Sequence, residues 1–210
     1  MAEIETSSEA PQGGKYRRTK PPKKIKTLVA KRRRYYVNRK RVMLAFEDEA
    51  GFGRILDVAS CWAPPKQRPC VPNERHREYR TVYGVVIPRT GEYFFEVYDK
   101  NNNEIFADFL KKVAEKFPDY YIVICCDQAG WHTTKKLKVP KNICLFFIPS
   151  HTPEMNPIEQ IWKEIRNRGF KNIMFKSLVD LFKKFWDVVK SLEKETIISI
   201  TERDWVHQLY

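Results

Sequence analysis

Three short segments of the chain each carry a carboxylate that the neighbouring residues leave little freedom to place. They are Phe46-Glu47-Asp48-Glu49, Cys125-Cys126-Asp127-Gln128-Ala129-Gly130-Trp131-His132, and Pro149-Ser150-His151-Thr152-Pro153-Glu154-Met155-Asn156-Pro157-Ile158-Glu159. The chemistry that three converging carboxylates support is metal-dependent phosphodiester cleavage. Without a covalent protein intermediate, that reaction needs an activated water and a stabilised leaving oxygen, and two divalent ions about 3.5–4 Å apart supply both. Mg²⁺ takes hard oxygen ligands and keeps several waters, so a few carboxylates complete its protein shell. They must sit on rigid elements, because a site loose by an ångström loses rate.

The local sequence gives each acid such an element. Asp48 lies two and four residues beyond Phe46 and Leu44, so strand alternation puts it on their face, with Glu47 and Glu49 on the other. Asp127 directly follows an apolar strand, at the carboxyl end where open α/β sheets place their sites. Glu159 is the third residue of a helix begun by Pro157, close to its partly positive N-terminus. Each acid also has an ordinary reading. A carboxylate at a strand end starts a solvated loop, and Glu159 with Asn156 has the spacing of an N-terminal capping pair. Glu154 is a rival for the third position. The conjunction of three acids in this order of elements favours the metal site.

The positioning elements follow from hydrophobic patterning. Val42 to Phe46 is apolar on both faces, as in a central strand. After Gly51 and Gly53 come a short candidate strand around Cys61-Trp62 and a proline-rich connection up to Pro72. Arg80 to Ile87 and Glu92 to Tyr98 read as a hairpin across Pro88-Arg89-Thr90-Gly91. Asn103 is the expected N-cap of a helix reaching Lys116, with Ile105, Phe106, Phe109, Leu110 and Val113 on one face. Tyr120 to Cys126 and Ile143 to Ile148 are further apolar strands. Asn156-Pro157 starts a helix with Ile158, Ile161, Trp162 and Ile165 inward, and a last amphipathic helix spans Ser177 to Leu192. The predicted class is α/β, a mixed sheet covered by helices.

Charge is segregated along the chain. The formal net charge is +13, yet residues 13 to 41 hold fourteen Lys/Arg and no acid, leaving 25 basic against 26 acidic residues elsewhere. Such a block seeks a polyanion. The expected organisation is a disordered N-terminus (1–12), a basic arm or linker (13–40), a catalytic domain (41–175) and a C-terminal helical segment packed on it (176–210). Lys31, Arg32, Arg33, Arg34, Arg39, Lys40 and Arg41 are the candidate DNA contacts, with DNA as the expected partner. Five cysteines form no Cys-x-x-Cys pair, and three lie in apolar runs, so buried reduced thiols are expected rather than disulfides. His76, His132, His151 and His207 are too scattered to build a zinc site with them. Trp131 follows Asp127 in an expected loop, where its ring can stack on an unpaired base. No apolar stretch approaches the roughly 18 residues of a membrane span. A cytoplasmic protein with no membrane partner is expected.

The residues around the acids carry a family likeness. Phe-Glu-Asp-Glu-Ala-Gly-Phe-Gly at 46–53, Asp-Gln-Ala-Gly-Trp-His at 127–132, and Pro-Ser-His-Thr-Pro-Glu-Met-Asn-Pro-Ile-Glu-Gln-Ile-Trp at 149–162 resemble the three signature blocks of mariner-superfamily DDE transposases. The likeness is strongest to their bacterial and archaeal insertion-sequence branch. Trp62-Ala63-Pro64, Tyr83-Gly84-Val85-Val86 and Thr90-Gly91-Glu92 are similar to that branch as well. The resemblance implies an RNase H-like fold and a Mg²⁺ or Mn²⁺ site, with two ions, built by Asp48, Asp127 and Glu159. It implies cleavage at transposon ends and strand transfer to target DNA by a homodimer or higher assembly. The same likeness implies a prokaryotic, nucleoid-associated protein. Glu49, His132, Trp131 and Asn156 become candidates for supporting the metal ligands or positioning DNA. The chain departs from the family in a short gap between Asp127 and Glu159 and in Pro65-Lys66 where relatives carry glycine. It also has only the arm where relatives have helix-turn-helix modules, so either a separate reading frame encodes them or the chain is a truncated or repurposed copy that binds DNA without cutting or serves as a host nuclease.

Overall fold

The computed structural model describes residues 41–55, 75–149 and 155–203, together with Val58, Ala59, Ala63, Pro64, Lys66, Gln67, Cys70 and Val206. The acidic N-terminus, the arm residues Lys31, Arg32, Arg33, Arg34, Arg39 and Lys40, the Cys61-Trp62 candidate strand and Glu154 lie outside the described residues. Arg41 is the exposed first residue of the first strand.

Five strands form one sheet: β1 (Arg41–Ile55), β2 (Arg75–Ile87), β3 (Glu92–Tyr98), β4 (Tyr120–Cys126) and β5 (Ile143–Phe147), in the order β3-β2-β1-β4-β5. β2 runs antiparallel to both β1 and β3, while β4 is parallel to β1 and to β5. The β2–β3 connection turns tightly because Gly91 adopts φ +67°, and the Thr90 and Gly91 amides both donate to the Ile87 carbonyl. Parallel pairing needs long crossovers. The route from β3 to β4 carries α1 (Asn103–Lys116), and that from β4 to β5 carries the single turn α2 (Gly130–Thr133). Three helices follow: α3 (Ile158–Gly169), α4 (Leu178–Lys190) and α5 (Lys194–Thr201).

The sheet separates two apolar layers. Leu44, Phe46, Ala50 and Phe52 of β1 pack with Trp162 and Ile165 of α3 and with Leu181 and Phe185 of α4. Met43 and Ala45 face the other way, against Phe106, Phe109, Leu110 and Val113 of α1. β1 and β4 are therefore covered on both sides, which explains their unbroken apolar runs. The C-terminal helices α4 and α5 supply Leu181, Phe185, Val188, Val189 and Ile197 to the same layer as β1. The mixed sheet between helices agrees with the predicted class.

Four local expectations are corrected. β1 does not end with the Val42–Phe46 apolar run and the acids that follow it. It continues to Ile55 because β2 stays paired with it from Phe46↔Val86 to Ile55↔Arg75. Gly53 inside that extension permits close approach, since a Cβ on it would lie 2.7 Å from the Glu78 carbonyl oxygen. The N-cap of α1 is Asn102 rather than Asn103, its side chain accepting from the Ile105 amide at 2.9 Å. α3 begins at Ile158, so Glu159 is its second residue. The last helix is two, because the chain leaves α4 at Ser191, whose amide bonds Asp187 and Val188, and re-enters a helix at Lys194. Among the described residues, no helix is long and apolar enough to cross a membrane.

Candidate metal centre at the carboxyl ends of β1 and β4

Asp48 sits where the central strand loses one neighbour and keeps the other. Pairing of β1 with β4 ends at Phe46↔Cys125, whereas β2 remains opposite, with Gly84 across from Asp48. One flank of Asp48 is thus open. Gly84 has a steric duty there: a Cβ on it would fall 2.5 Å from Cη2 of Trp162. The missing side chain lets the indole of α3 lie across the strand and donate from Nε1 to Asp48 Oδ2 at 3.1 Å. Burial first, then the charge of Glu159 and then that of Glu49, push the Asp48 carboxyl up to about 7. The Glu49 amide and the Trp162 N–H offset part of that rise. Glu159 is exposed in the first turn of α3.

Asp127 follows the last residue of β4. Extending the Phe46↔Cys125 register by two places its backbone level with Asp48. Its side chain, 62 % exposed, is held from the far side of the sheet. Oδ1 accepts the Ala129 amide at 2.9 Å, which starts α2, and lies 2.8 Å from Nδ1 of His132. His132 is buried with its ring against Phe106 at a centroid distance of 4.2 Å. Its Nε2 is 3.0 Å from Glu49 Oε1, which also accepts the Trp131 indole N–H at 2.9 Å. Burial pulls His132 down, but the Glu49 hydrogen bond and the charges of Glu49 and Asp127 outweigh it and leave the ring above its ordinary value. Gln128 fixes the same loop by donating to the Ile148 carbonyl at 3.0 Å.

Asn156 serves a different purpose from the expected cap. Its Nδ2 donates to the Glu47 carbonyl at 2.8 Å, fastening the start of α3 to β1, and α3 begins without a side-chain cap. Trp131 is likewise not in a loop: it occupies α2, partly buried against the α1 layer. The structure therefore brings Asp48 together with Glu159, and Asp127 together with Glu49, Trp131 and His132. Of the basic residues near β2, Arg80 is ion-paired with Asp99. Sequence reading had left Trp162 as core or rim, and had given Gly84 and Glu47 no part in the site. Trp162 had one usable signal, since it stands three residues after Glu159 and so shares its helix flank.

The donor set near Asp48 consists of carboxylate oxygens, with one acid raised by a second. That is a site a hard divalent cation fits, because the cation removes the repulsion that raises Asp48.

Residues 43–182 match the model of a family described as DDE superfamily endonuclease. An uncharacterized protein of Sinorhizobium fredii, y4pE/y4sA, is 35 % identical over 130 residues, which is 60 % of this chain and 96 % of that protein. Among solved structures, the Mos1 transposase paired-end complex with left transposon end superposes with a TM-score of 0.62 at 14 % identity over 100 % of this chain. The Mos1 mariner paired-end complex with Mn gives 0.61 at 12 % identity, again over 100 % of this chain. The chain spans 64 % and 63 % of those two Mos1 chains. At such identities the likeness is one of fold, and it is the RNase H-like sheet that the signature blocks implied.

Proposed function

Because the chain belongs to the DDE superfamily of endonucleases and shares the fold of a mariner transposase, we propose that Asp48, Asp127 and Glu159 hold Mg²⁺ or Mn²⁺, two ions in all, for DNA strand cleavage. The observation that carries this reading is the pairing of a raised, half-buried Asp48 with Glu159, one strand away from Asp127. Bound divalent ions would supply an activated water and charge stabilisation at the leaving oxygen. The chain's own residues set the ligands. Trp162 fixes one oxygen of Asp48, His132 and the Ala129 amide fix one oxygen of Asp127, and the first turn of α3 presents Glu159 at the exposed end.

In this reading the substrate is DNA, first at transposon ends and then at the target, and the working unit is a homodimer or higher assembly in the prokaryotic nucleoid. Residues 13–40 serve as a basic arm, 41–175 as the catalytic domain and 176–210 as its C-terminal buttress. Two complexes of the related fold, the Mos1 mariner paired-end complexes with Mn and with Mg, support the choice of ions.

The test compares cleavage of transposon-end duplex with that of random duplex, with Mg²⁺, with Mn²⁺ and with chelator. Asp48→Asn, Asp127→Asn and Glu159→Gln should each abolish metal-dependent cutting while DNA binding persists. Normal cleavage by the Glu159→Gln protein together with loss in Glu154→Gln would move the third ligand to Glu154. Equal cutting of both duplexes would point to a nuclease without end specificity.

A further inference from the structure

Directly behind Asp48, on the α1 side of the sheet, three elements aim metal-binding atoms at one buried spot. Glu47 of β1, Cys126 at the end of β4 and His132 of α2 are all buried, and one ligand atom from each lies within 4.8 Å of the others. The sequence spacing of these residues, which argued against any zinc site, concealed this convergence.

Glu47 is the telling member. It is fully buried, and among the described residues neither of its carboxylate oxygens has a hydrogen-bond partner. A buried carboxyl in that condition forfeits its solvation with nothing in return. Its Oε2 lies 3.9 Å from His132 Nε2, and Glu49 Oε1 lies 3.0 Å from the same nitrogen. The other ring nitrogen, Nδ1, faces the Asp127 carboxylate at 2.8 Å. A carboxylate on one imidazole nitrogen is the arrangement that orients a histidine to ligate through the other. The Trp131 indole holds Glu49 in the same way.

We propose that Glu47, Cys126 and His132, with Glu49 as the fourth ligand, form a closed Zn²⁺ site that fastens β1, β4 and α2 together behind the Asp127 loop. Thiolate, imidazole and carboxylate donors suit zinc and exclude Mg²⁺. With zinc–donor bonds of roughly 2.0–2.3 Å, tetrahedral ligands stand about 3.3–3.8 Å apart. The Nε2 separations of 3.0 and 3.9 Å bracket that range. Glu49 must turn toward Glu47 and Cys126 to complete the site, since the ligand atoms already close to one another are those of Glu47, Cys126 and His132. Binding releases the Cys126 thiol proton, and any proton on Glu47 or Nε2, to solvent. With four protein ligands the site has no open position, so its role is to stiffen the fold behind Asp127 rather than to carry out cleavage.

The experiment is a Co²⁺ titration of the untagged, chelator-stripped full chain. The expected result is one tight equivalent with tetrahedral visible bands and a thiolate-to-cobalt charge-transfer band, displaced by Zn²⁺ and not by Mg²⁺. Cys126→Ser should lose the charge-transfer band, and Glu47→Gln should weaken Co²⁺ binding at least about tenfold. Cys70→Ser, Cys144→Ser and Asp48→Asn should keep both. Stoichiometric Zn²⁺ should raise the melting temperature of the wild type and of Asp48→Asn alike. The absence of a charge-transfer band in the wild type would overturn the proposal, whatever the variants do. So would a band that survives in folded Cys126→Ser, or one that disappears in Asp48→Asn. The buried cluster would then be a proton-sharing one, with an imidazolium between Glu49 and Asp127.

Discussion

Adjacent residues of β1, Asp48 and Glu49, each accept a hydrogen bond from a tryptophan indole, on opposite faces of the sheet. Trp162 of α3 reaches Asp48 at 3.1 Å, and Trp131 of α2 reaches Glu49 at 2.9 Å. The surroundings differ. On the Asp48 side the other nearby charge is a carboxylate, Glu159, at the exposed end of a helix, and β4 has already fallen away. On the Glu49 side the neighbour is His132, which satisfies Glu49 and passes on to Asp127. One indole contact thus sits in two electrostatic settings: acid against acid in one, acid against base in the other. The first offers a cation acids alone; the second sets a histidine beside them.

The largest expected effect breaks this contrast with pH. The folded-state value of Asp48, about 7, stands above its unfolded value of about 3.9. Between those values the folded chain holds a proton that the unfolded chain does not. Its stabilising contribution is therefore complete below about pH 4, declines as pH rises, and is gone above about pH 7. The difference is on the order of 4 kcal/mol. His132, also raised, and Glu47, pushed well above its ordinary value by burial, add declines in the same direction. Urea unfolding at pH 5 and pH 8 should show the chelator-treated protein weaker at pH 8. Asp48→Asn should remove the Asp48 share of that difference and leave the share of the buried Glu47 carboxyl, and Mg²⁺ should stabilise the wild type at pH 8 far more than at pH 5. Equal slopes in wild type and Asp48→Asn would mean that neither burial nor Glu159 raises Asp48 in the folded chain.

A smaller effect is expected from the residue that lets Trp162 in. Gly84→Ala puts a methyl group within 2.5 Å of the indole and 2.8 Å of Phe95 Cδ1. Overpacking of this kind costs about 1–3 kcal/mol. The displaced indole should also release Asp48, so metal-dependent cleavage should fall more steeply than stability alone accounts for. A variant as stable as the wild type with full cleavage would show that the ring finds another berth.

How much of this was legible beforehand depends on the range of the interaction that decides each feature. Strand alternation from Leu44 and Phe46 was enough to assign Asp48 and Glu49 to opposite faces, because that rule is local. The apolar runs of β4 and β5 and the hairpin turn at Gly91 were equally local. The extension of β1 through Glu49, Gly51 and Gly53 was not, since those residues have little strand preference and are held by β2 across a long gap in sequence. Asn156 next to Pro157 reads as a cap, yet its amide is taken by a carbonyl 109 residues away. The Trp162 bond to Asp48 spans 114 residues, and it depends on an absent side chain at Gly84 that no periodicity reveals. Burial of Glu47 was hidden for the same reason: nothing near it in sequence shows that Cys126 and His132 will surround it.

The smallest effects come from exchanging each indole for a benzene ring, and their difference is the sharpest probe of the two faces. Trp131→Phe and Trp162→Phe both delete one N–H donor to a carboxylate while keeping an aromatic ring. Loss of a hydrogen bond to a charged group is worth about 1.5–3 kcal/mol when nothing replaces it, and less when a second donor remains. Glu49 retains His132 Nε2 at 3.0 Å, so Trp131→Phe should cost about 1 kcal/mol or less in its polar contribution, and the pH profile of cleavage should hardly move. Asp48 loses a contact that holds its carboxyl down against Glu159. Trp162→Phe should therefore raise the Asp48 value further and shift the alkaline rise of Mg²⁺ binding to higher pH. Calorimetric Mg²⁺ titrations between pH 6 and pH 8.5 measure that shift. Equal shifts in the two variants would show that the strand transmits charge between its faces too well for them to act as separate sites. A shift confined to Trp162→Phe would leave Asp48 as the acid whose ionisation sets metal affinity, with Glu49 fixed in its support.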